Sequence, residues 1–403
     1  MFNSVLLALT FVLSFVGTMA FRISMPAIAF FTRKVLEASA LSVGLLTSSF
    51  FTARATFSII TGSLADKFGR KIIYGASLCF ILNGLVVQLY ALAESVPAVL
   101  GVRFLQGILN GVSWVSVQFV LGKSVNESIR GRVYAIYFAL GTLGIATGNI
   151  LYSILSNYPM VYILNISSVL FAIASILTLV IGLLLKGGTP LSIKKAKKTA
   201  TMSKPGKLGL IKAVPLMVVV LGTTFFSSMV RGDLIYIYIN EAFNVTKATA
   251  AEVVAFSSLI ALVGGYILSW VSDSFGDFFA LKITLTIAVI GSIIMGANVF
   301  TVAIMGLVLF YIANSGILPI SRRIAVTHYK LGGTTLGLIN ASGNIGAVLG
   351  ASVIGYLYDI FNRSSVIILG AKLTIFVLLS SSTLIASLII SLLLLKQSQK
   401  RSL

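Results

Sequence analysis

The stretch GSLADKFGRK, Gly62–Lys71, sets one acid, Asp66, among the bases Lys67, Arg70 and Lys71, and it lies between two long apolar runs, residues 40–61 and 72–93. Each run is long enough to cross a hydrocarbon core of ~30 Å. A bilayer interior offers no hydrogen-bond partners, so each run must satisfy its own backbone, and an unbroken run does so as a helix. The charged stretch therefore reads as a tight polar turn between two membrane-spanning helices.

The same pattern extends along the chain. Of 403 residues, 58% are hydrophobic and only 10% charged, whereas a soluble domain carries roughly a quarter charged residues. Twelve spans are predicted, near 3–30, 40–61, 72–93, 97–121, 133–156, 161–185, 213–239, 249–271, 279–298, 302–320, 335–357 and 369–395. The first has no basic leading segment and too long an apolar core for a cleaved secretory signal, so it is expected to be retained. The fold class expected is an all-α membrane protein of twelve transmembrane helices, with no strands.

The net charge of +20 is distributed by topology. With the N-terminus inside, the even-numbered connections and the C-terminal tail are cytoplasmic. They carry Lys67, Arg70, Lys71, Lys123, Arg130, Arg132, Lys282, Arg322, Arg323, Lys330, Lys396, Lys400 and Arg401, while the opposite connections hold Arg33, Lys34, Lys247 and Arg363. This is the positive-inside asymmetry, and it predicts a multi-pass protein of the cell membrane with both termini cytoplasmic. Lys186–Lys212 adds eight lysines and no acid. Without aromatic residues or a folded module beside it, this segment reads as a linker near anionic headgroups and not as a nucleic-acid site. It divides the chain into an N-terminal six-helix bundle, 1–185, a basic cytoplasmic linker, 186–212, and a C-terminal six-helix bundle, 213–403.

The halves resemble each other. ADKFGR after span 2, with Asp66, Phe68 and Gly69, is matched after span 8 by SDSFGD, with Asp273, Phe275 and Gly276, at an offset of 207. Gly141, Gly144 and Gly148 in span 5 are matched by Gly343, Gly346 and Gly350 in span 11, at an offset of 202. Two matches at nearly one offset point to duplication. The opening stretch is similar to the signature of the major facilitator superfamily, a Gly-x-Leu-Ala-Asp-x-x-Gly-Arg-Lys pattern met by Gly62, Leu64, Ala65, Asp66, Gly69, Arg70 and Lys71. RFLQG, with Arg103 and Gly107, resembles that family's second motif, and Glu127–Arg132, ESIRGR, follows the same span. The resemblance implies two pseudo-symmetric six-helix bundles around a central cavity, opened alternately to each side by rocking.

In this setting Gly62 and Gly69 permit a short turn and close helix approach, and Arg70 and Lys71 anchor it in the headgroup layer. Asp66 has two readings: a gating latch, docked on a helix N-terminus or paired with an arginine such as Arg130 in the Glu127–Arg132 loop, or a helix cap without a gating role. In the second copy Asp277 stands in the place of Arg70, so unequal latches are expected in the two halves.

Charges inside the spans are functional candidates, since each is unfavourable in hydrocarbon by several kcal/mol. They are Arg22 in span 1, Arg54 in span 2, Arg103 in span 4, and Arg231 with Asp233 in span 7. Spans 1 and 7 are equivalent helices, and Arg22 and Arg231 differ by 209 positions, close to the duplication offset. A guanidinium fork suits carboxylate or phosphate, so the two arginines are candidate substrate-binding residues for an anion, unless each snorkels to the outer interface. Organic-phosphate and some organic-anion carriers of the resembled family use arginines on these two helices. Arg103 is expected to be an interior structural charge. Arg54 is a gating or a snorkelling residue. Asp233 is the candidate proton-coupling acid, whereas Glu252 and Asp359 are expected to be solvated. Tyr236, Tyr238 and the amides Asn110, Asn149, Asn314, Asn340 and Asn344 are candidates for helix contacts or substrate.

His328 falls in a basic connection and Cys79, the single cysteine, in an apolar span, so neither suggests metal or thiol chemistry. No nucleotide cassette, cofactor or enzymatic activity is expected. The function expected is secondary active transport of a small solute by a monomer among membrane lipids, with an anionic substrate favoured and a proton as coupling ion. One alternative is a proton-antiporting drug or metabolite exporter, although GTLGIATGNIL in span 5 lacks the Gly-Pro pair of the resembled drug exporters. The other is a non-transporting lipid-handling or sensor protein on the same fold.

Overall fold

The computed structural model describes residues 4–187, 207–327, 333–368 and 370–400. It is helical almost throughout. In chain order the helices are α1 (Ser4–Phe30), α2 (Ala40–Phe68), α3 (Ile72–Gln88), α4 (Val96–Ser124), α5 (Glu127–Leu155), α6 (Met160–Gly187), α7 (Lys207–Arg231), α8 (Leu234–Phe243), α9 (Lys247–Phe275), α10 (Asp277–Met295), α11 (Phe300–Thr327), α12 (Gly333–Phe361) and α13 (Ile375–Lys400). A π-helical turn, Phe31–Val35, extends α1.

Local chemistry sets the helix ends. The Ser39 hydroxyl accepts the Ser42 N–H at 3.1 Å to start α2, and the Thr246 hydroxyl accepts the Thr249 N–H at 3.1 Å to start α9. The turn of the opening stretch is a single 3₁₀ turn, Gly69–Lys71, entered through Gly69 at φ +57°. Its repeat, between α9 and α10, passes through Gly276 at φ +93°. Only glycine takes these angles without strain, so the same residue type marks the same bend in both copies.

Among the described residues, eleven continuous helical stretches are long and apolar enough to cross a membrane. The twelve expected spans become eleven because two of them form one 53-residue stretch, Ala40–Leu92, in which α2 and α3 meet across the Gly69–Lys71 turn. Expected span 7 is broken: α7 ends at Arg231 and α8 begins at Leu234. The expectation of no strands is also corrected. A hairpin pairs β1 (Ser365–Ile368) with β2 (Ala371–Thr374), Ser365 opposite Thr374, and Gly370 sits in its turn at φ +81°. This delays the last helix to residue 375 and places Lys372, which the sequence reading had put in span 12, on the connection with Arg363.

The chain forms two compact units, one of Met1–Thr189 with Tyr236–Leu259, the other of Pro190–Ile235 with Ile260–Leu403. Of the proposed linker, 186–212, residues 188–206 lie outside the described residues, while 186–187 close α6 and 207–212 open α7. In the first unit α1 packs on α5 and α6, and α3 on α4 and α6; in the second α7 packs on α12 and α13, and α10 on α11 and α13. The same pairing thus recurs in each half. Close approach comes from glycine: a Cβ at Gly144 of α5 would run into the Phe15 carbonyl of α1, and one at Gly346 of α12 into the Leu221 carbonyl of α7. Leu13, Phe80, Leu121, Tyr137 and Phe171 fill the core of the first unit.

Candidate functional site

A buried polar group sits on one face of α4. Arg103, 1% exposed, packs against the paired rings of Phe21 of α1 and Phe50 of α2, whose centroids are 4.9 Å apart, its guanidinium carbon 5.0 and 5.3 Å from them. It donates to the Gln106 side-chain oxygen at 3.2 Å, and the same oxygen accepts the Tyr90 hydroxyl at 2.7 Å. The delocalised guanidinium is the cation best suited to such stacking, which explains an arginine rather than a lysine here. One and two turns along α4 from Arg103, the Gln106 amide N–H and the Asn110 carbonyl oxygen are buried without a hydrogen-bond partner among the described residues. Gln106 was missed by the sequence reading, although its i+3 spacing from Arg103 within RFLQG was a usable signal.

Arg22 is half-buried on α1 and donates to the Met25 thioether sulfur at 3.0 Å. Arg54 on α2 lies 5.9 Å from the Phe51 ring centroid. In the second unit Asp233 is 0% exposed while Arg231 is exposed, and the two flank Gly232 at the helix break. Because the helix stops there, the ideal-helix angle between them no longer applies. Asp233 stands immediately before α8, at the position where a carboxylate complements free N–H groups and the helix dipole.

The equivalence of Arg22 and Arg231 changes in register. A Cβ at Gly148 would meet Met19 and Arg22, and a Cβ at Gly350 would meet Phe225 and Ser228. By this packing Ser228 holds the place of Arg22, and Arg231 lies three residues further along its helix.

At the signature stretch, Asp66 is exposed in the last turn of α2, before the Gly69–Lys71 turn, and among the described residues it makes no ion pair with Arg130. Arg70 instead donates to the Lys123 carbonyl at 3.4 Å and Arg130 to the Val125 carbonyl at 3.5 Å. Both carbonyls lie at the C-terminal end of α4. The Glu127 side chain and His328 lie outside the described residues.

The second copy does close a charged cluster. Arg323 of α11 pairs with Asp273 and, at 3.0 Å, with Asp277, which is 4% exposed and also accepts the Ser272 hydroxyl. The sequence reading had noted the change to Asp277 without its partner, which lies 46 residues on from it. Arg323→Gln is expected to leave the buried Asp277 carboxylate short of a donor and to lower stability by roughly 2 kcal/mol, read by thermal unfolding in detergent. Unfolding indistinguishable from the parent would show that solvent and Ser272 satisfy Asp277.

At the opposite helix ends of the first unit, Arg33 in the π-turn forks onto Glu241 of α8 at 2.7 and 3.1 Å and onto the Ala38 carbonyl at 2.8 Å. The Tyr236 hydroxyl donates to Asn149 at 2.7 Å, and the Ser153 hydroxyl to Glu252 at 2.5 Å. Glu252 is thus half-buried and bonded, not solvated as expected. These bonds hold Tyr236–Leu259 in the first unit, although the segment follows the midpoint of the sequence.

The sequence model of the Major Facilitator Superfamily matches residues 10–351. The chain belongs to that superfamily. Among its relatives is the Uncharacterized MFS-type transporter YcaD of Escherichia coli, in strain 536 and in strain K12 / DH10B, 25% identical over 352 residues that cover 84% of this chain and 85% of YcaD. Solved structures of the same fold include a bacterial homologue of the human lysosomal transporter Spinster, in an inward-facing and occupied conformation, with a TM-score of 0.74, 16% identity and coverage of 98% of this chain and 97% of that one. The nucleoside transporter NupG matches with a TM-score of 0.68, 14% identity and coverage of 97% and 98%. At these identities the two structures speak for the superfamily fold alone. The chain is a multi-pass membrane protein of a transporter superfamily.

Proposed function

We propose that this superfamily member is a secondary transporter that moves a small anionic solute by alternating access, with Arg22 and Arg231 as its anion-binding cations. Twelve crossings are counted in this reading, since Ala40–Leu92 spans about 80 Å as helix and crosses twice. The positive-inside pattern then sets both termini in the cytoplasm. The observation that carries the choice of substrate is the balance of arginines and acids within the expected spans: Arg22, Arg54, Arg103 and Arg231 against the acids Asp233 and Glu252. The break of span 7 supports it, because discontinuous helices in transporters present backbone and charge to a solute at membrane depth. The two arginines occupy non-equivalent turns of their helices. Proton coupling through Asp233 is a second reading, favoured by an acid with no exposed surface.

The test is a thermal-melt screen of the purified protein against carboxylates, organic phosphates, sugars and lipophilic cations, repeated with Arg22→Ala and Arg231→Ala. An anion at 100 times its dissociation constant is expected to stabilise the parent by ~2.7 kcal/mol and neither variant at that concentration. Stabilisation by lipophilic cations, retained in both variants, would overturn the anion reading in favour of an exporter. In liposomes, uptake that ignores both an imposed pH gradient and Asp233→Asn would remove the proton.

A further inference from the structure

The connections expected outside the membrane hold few cations: Arg33, Lys34, Lys247, Arg363 and Lys372. Three of these five gather at one place in the first unit, although Lys247 is more than two hundred residues from the others in sequence. Arg33 is neutralised by Glu241. Lys34 and Lys247 are not: each ammonium lies 5.6 Å from the centroid of the one Phe30 ring, and neither has an ion-pair partner among the described residues. Each being 5.6 Å from one point, they are at most 11.2 Å apart. Like charges held this close, on the side where positive charge is sparse, gain from a shared anion.

Lys247 and the shared Phe30 also line a cavity of about 170 Å³, with Phe31, Tyr152 and Tyr158 among its other walls. Phe30 stacks on Tyr152 with ring planes 12° apart, so one wall is a flat aromatic surface. The rim is apolar and open: Val35 is 66% exposed and Tyr158 58%. An exposed tyrosine and a valine at the ends of transmembrane helices stand at the level of lipid headgroups and first acyl carbons. The volume takes several water molecules' worth of ligand, enough for a headgroup or a few methylenes but not for a whole lipid.

We propose that this recess is a binding site for an anionic phospholipid of the outer leaflet. The phosphate lies between Lys34 and Lys247, and the glycerol and first acyl carbons lie against Phe30, Phe31 and Tyr158. Two flexible ammonium groups suit a phosphate as point charges, and the aromatic wall accounts for an amphiphile in place of a free ion. Because the recess joins the π-turn after α1 to the first turn of α9, an occupied site ties Lys247 and its segment to the first unit alongside Arg33–Glu241. Free organic phosphate offers the same charge without the tail, and the experiment separates the two.

The purified full chain in mild detergent is titrated with phosphatidylglycerol, phosphatidylcholine or glycerol 3-phosphate, and binding is read from the rise in melting temperature. Phosphatidylglycerol is expected to stabilise the protein, and the other two are not. Lys34→Gln together with Lys247→Gln is expected to weaken the phosphatidylglycerol response about thirtyfold in concentration, at roughly fivefold per lysine. The same response persists in Arg22→Ala, which distinguishes this site from the solute site. An equal response to phosphatidylcholine, an equal response to glycerol 3-phosphate, or an unchanged response in the double variant would each overturn the proposal. If the double variant melts lower without lipid, Val35→Glu, an exposed change that sets an acid at the rim, is expected to abolish the response on its own, and its failure to do so counts equally against the site.

Discussion

Gly350→Val is expected to lower stability by roughly 3 kcal/mol and to reduce the yield of folded protein sharply. Gly350 lies where α12 crosses α7, and a Cβ there would run into the Phe225 carbonyl and the Ser228 hydroxyl. The obstructing atoms include backbone, which cannot rotate away, so the helices must separate and lose the dispersion contacts that hold α7 to α12. Gly101→Ala on α4 is the control. Nothing lies within 4 Å of a Cβ at Gly101, and the change is expected to be neutral or stabilising by about 0.5–1 kcal/mol through backbone entropy. Thermal unfolding of the two variants in one detergent compares them directly. Equal melting temperatures would show that α7 and α12 can shift at little expense, and the close-packed account of both halves would fail with them.

Arg103→Ala is expected to lower stability by roughly 3 kcal/mol, while Arg103→Met stays within about 1.5 kcal/mol of the parent. The reasoning is volumetric first. Arg103 is among the largest fully buried side chains, and truncation leaves Phe21, Phe50 and Gln106 facing a void between α1, α2 and α4. Methionine refills most of that void and removes a buried charge whose desolvation opposes folding. The comparison therefore separates shape from charge. If the methionine variant unfolds like the parent yet transports no solute, the positive charge serves the transport cycle. If methionine is as destabilising as alanine, the hydrogen bond to Gln106 and the ring contacts hold the helices together, and the charge is structural.

Much of the fold was legible because the bilayer permits so few alternatives. Apolar length alone places the helices, and Gly69 with Gly276 marks the same bend twice. The break in span 7 was less legible: Arg231 and Asp233 flank Gly232, but apolar runs continue on both sides, so hydropathy averaged over the segment reads it as one span. The hairpin at Ser365–Thr374 was hidden because its second strand, Ala371–Thr374, falls inside the last expected span, 369–395, and its first, Ser365–Ile368, in the connection before it.

Among the site residues, the sequence by itself determined which ones matter as candidates. Arg22, Arg54, Arg103, Arg231 and Asp233 stand out because hydrocarbon tolerates charge poorly, a rule that needs no coordinates. Partnership is different. Whether Asp66 meets Arg130, whether Asp277 meets Arg323, and whether Gln106 meets Arg103 depend on distances of a few ångströms between helices far apart in the chain, and hydropathy carries none of that information. The tertiary structure alone decided that the Lys123 and Val125 carbonyls receive Arg70 and Arg130, that Ser228 takes the place of Arg22, and that Lys34 and Lys247 converge on Phe30. The physical reason is that membrane insertion reads the composition of each segment by itself, while packing reads the shape of every neighbour at once.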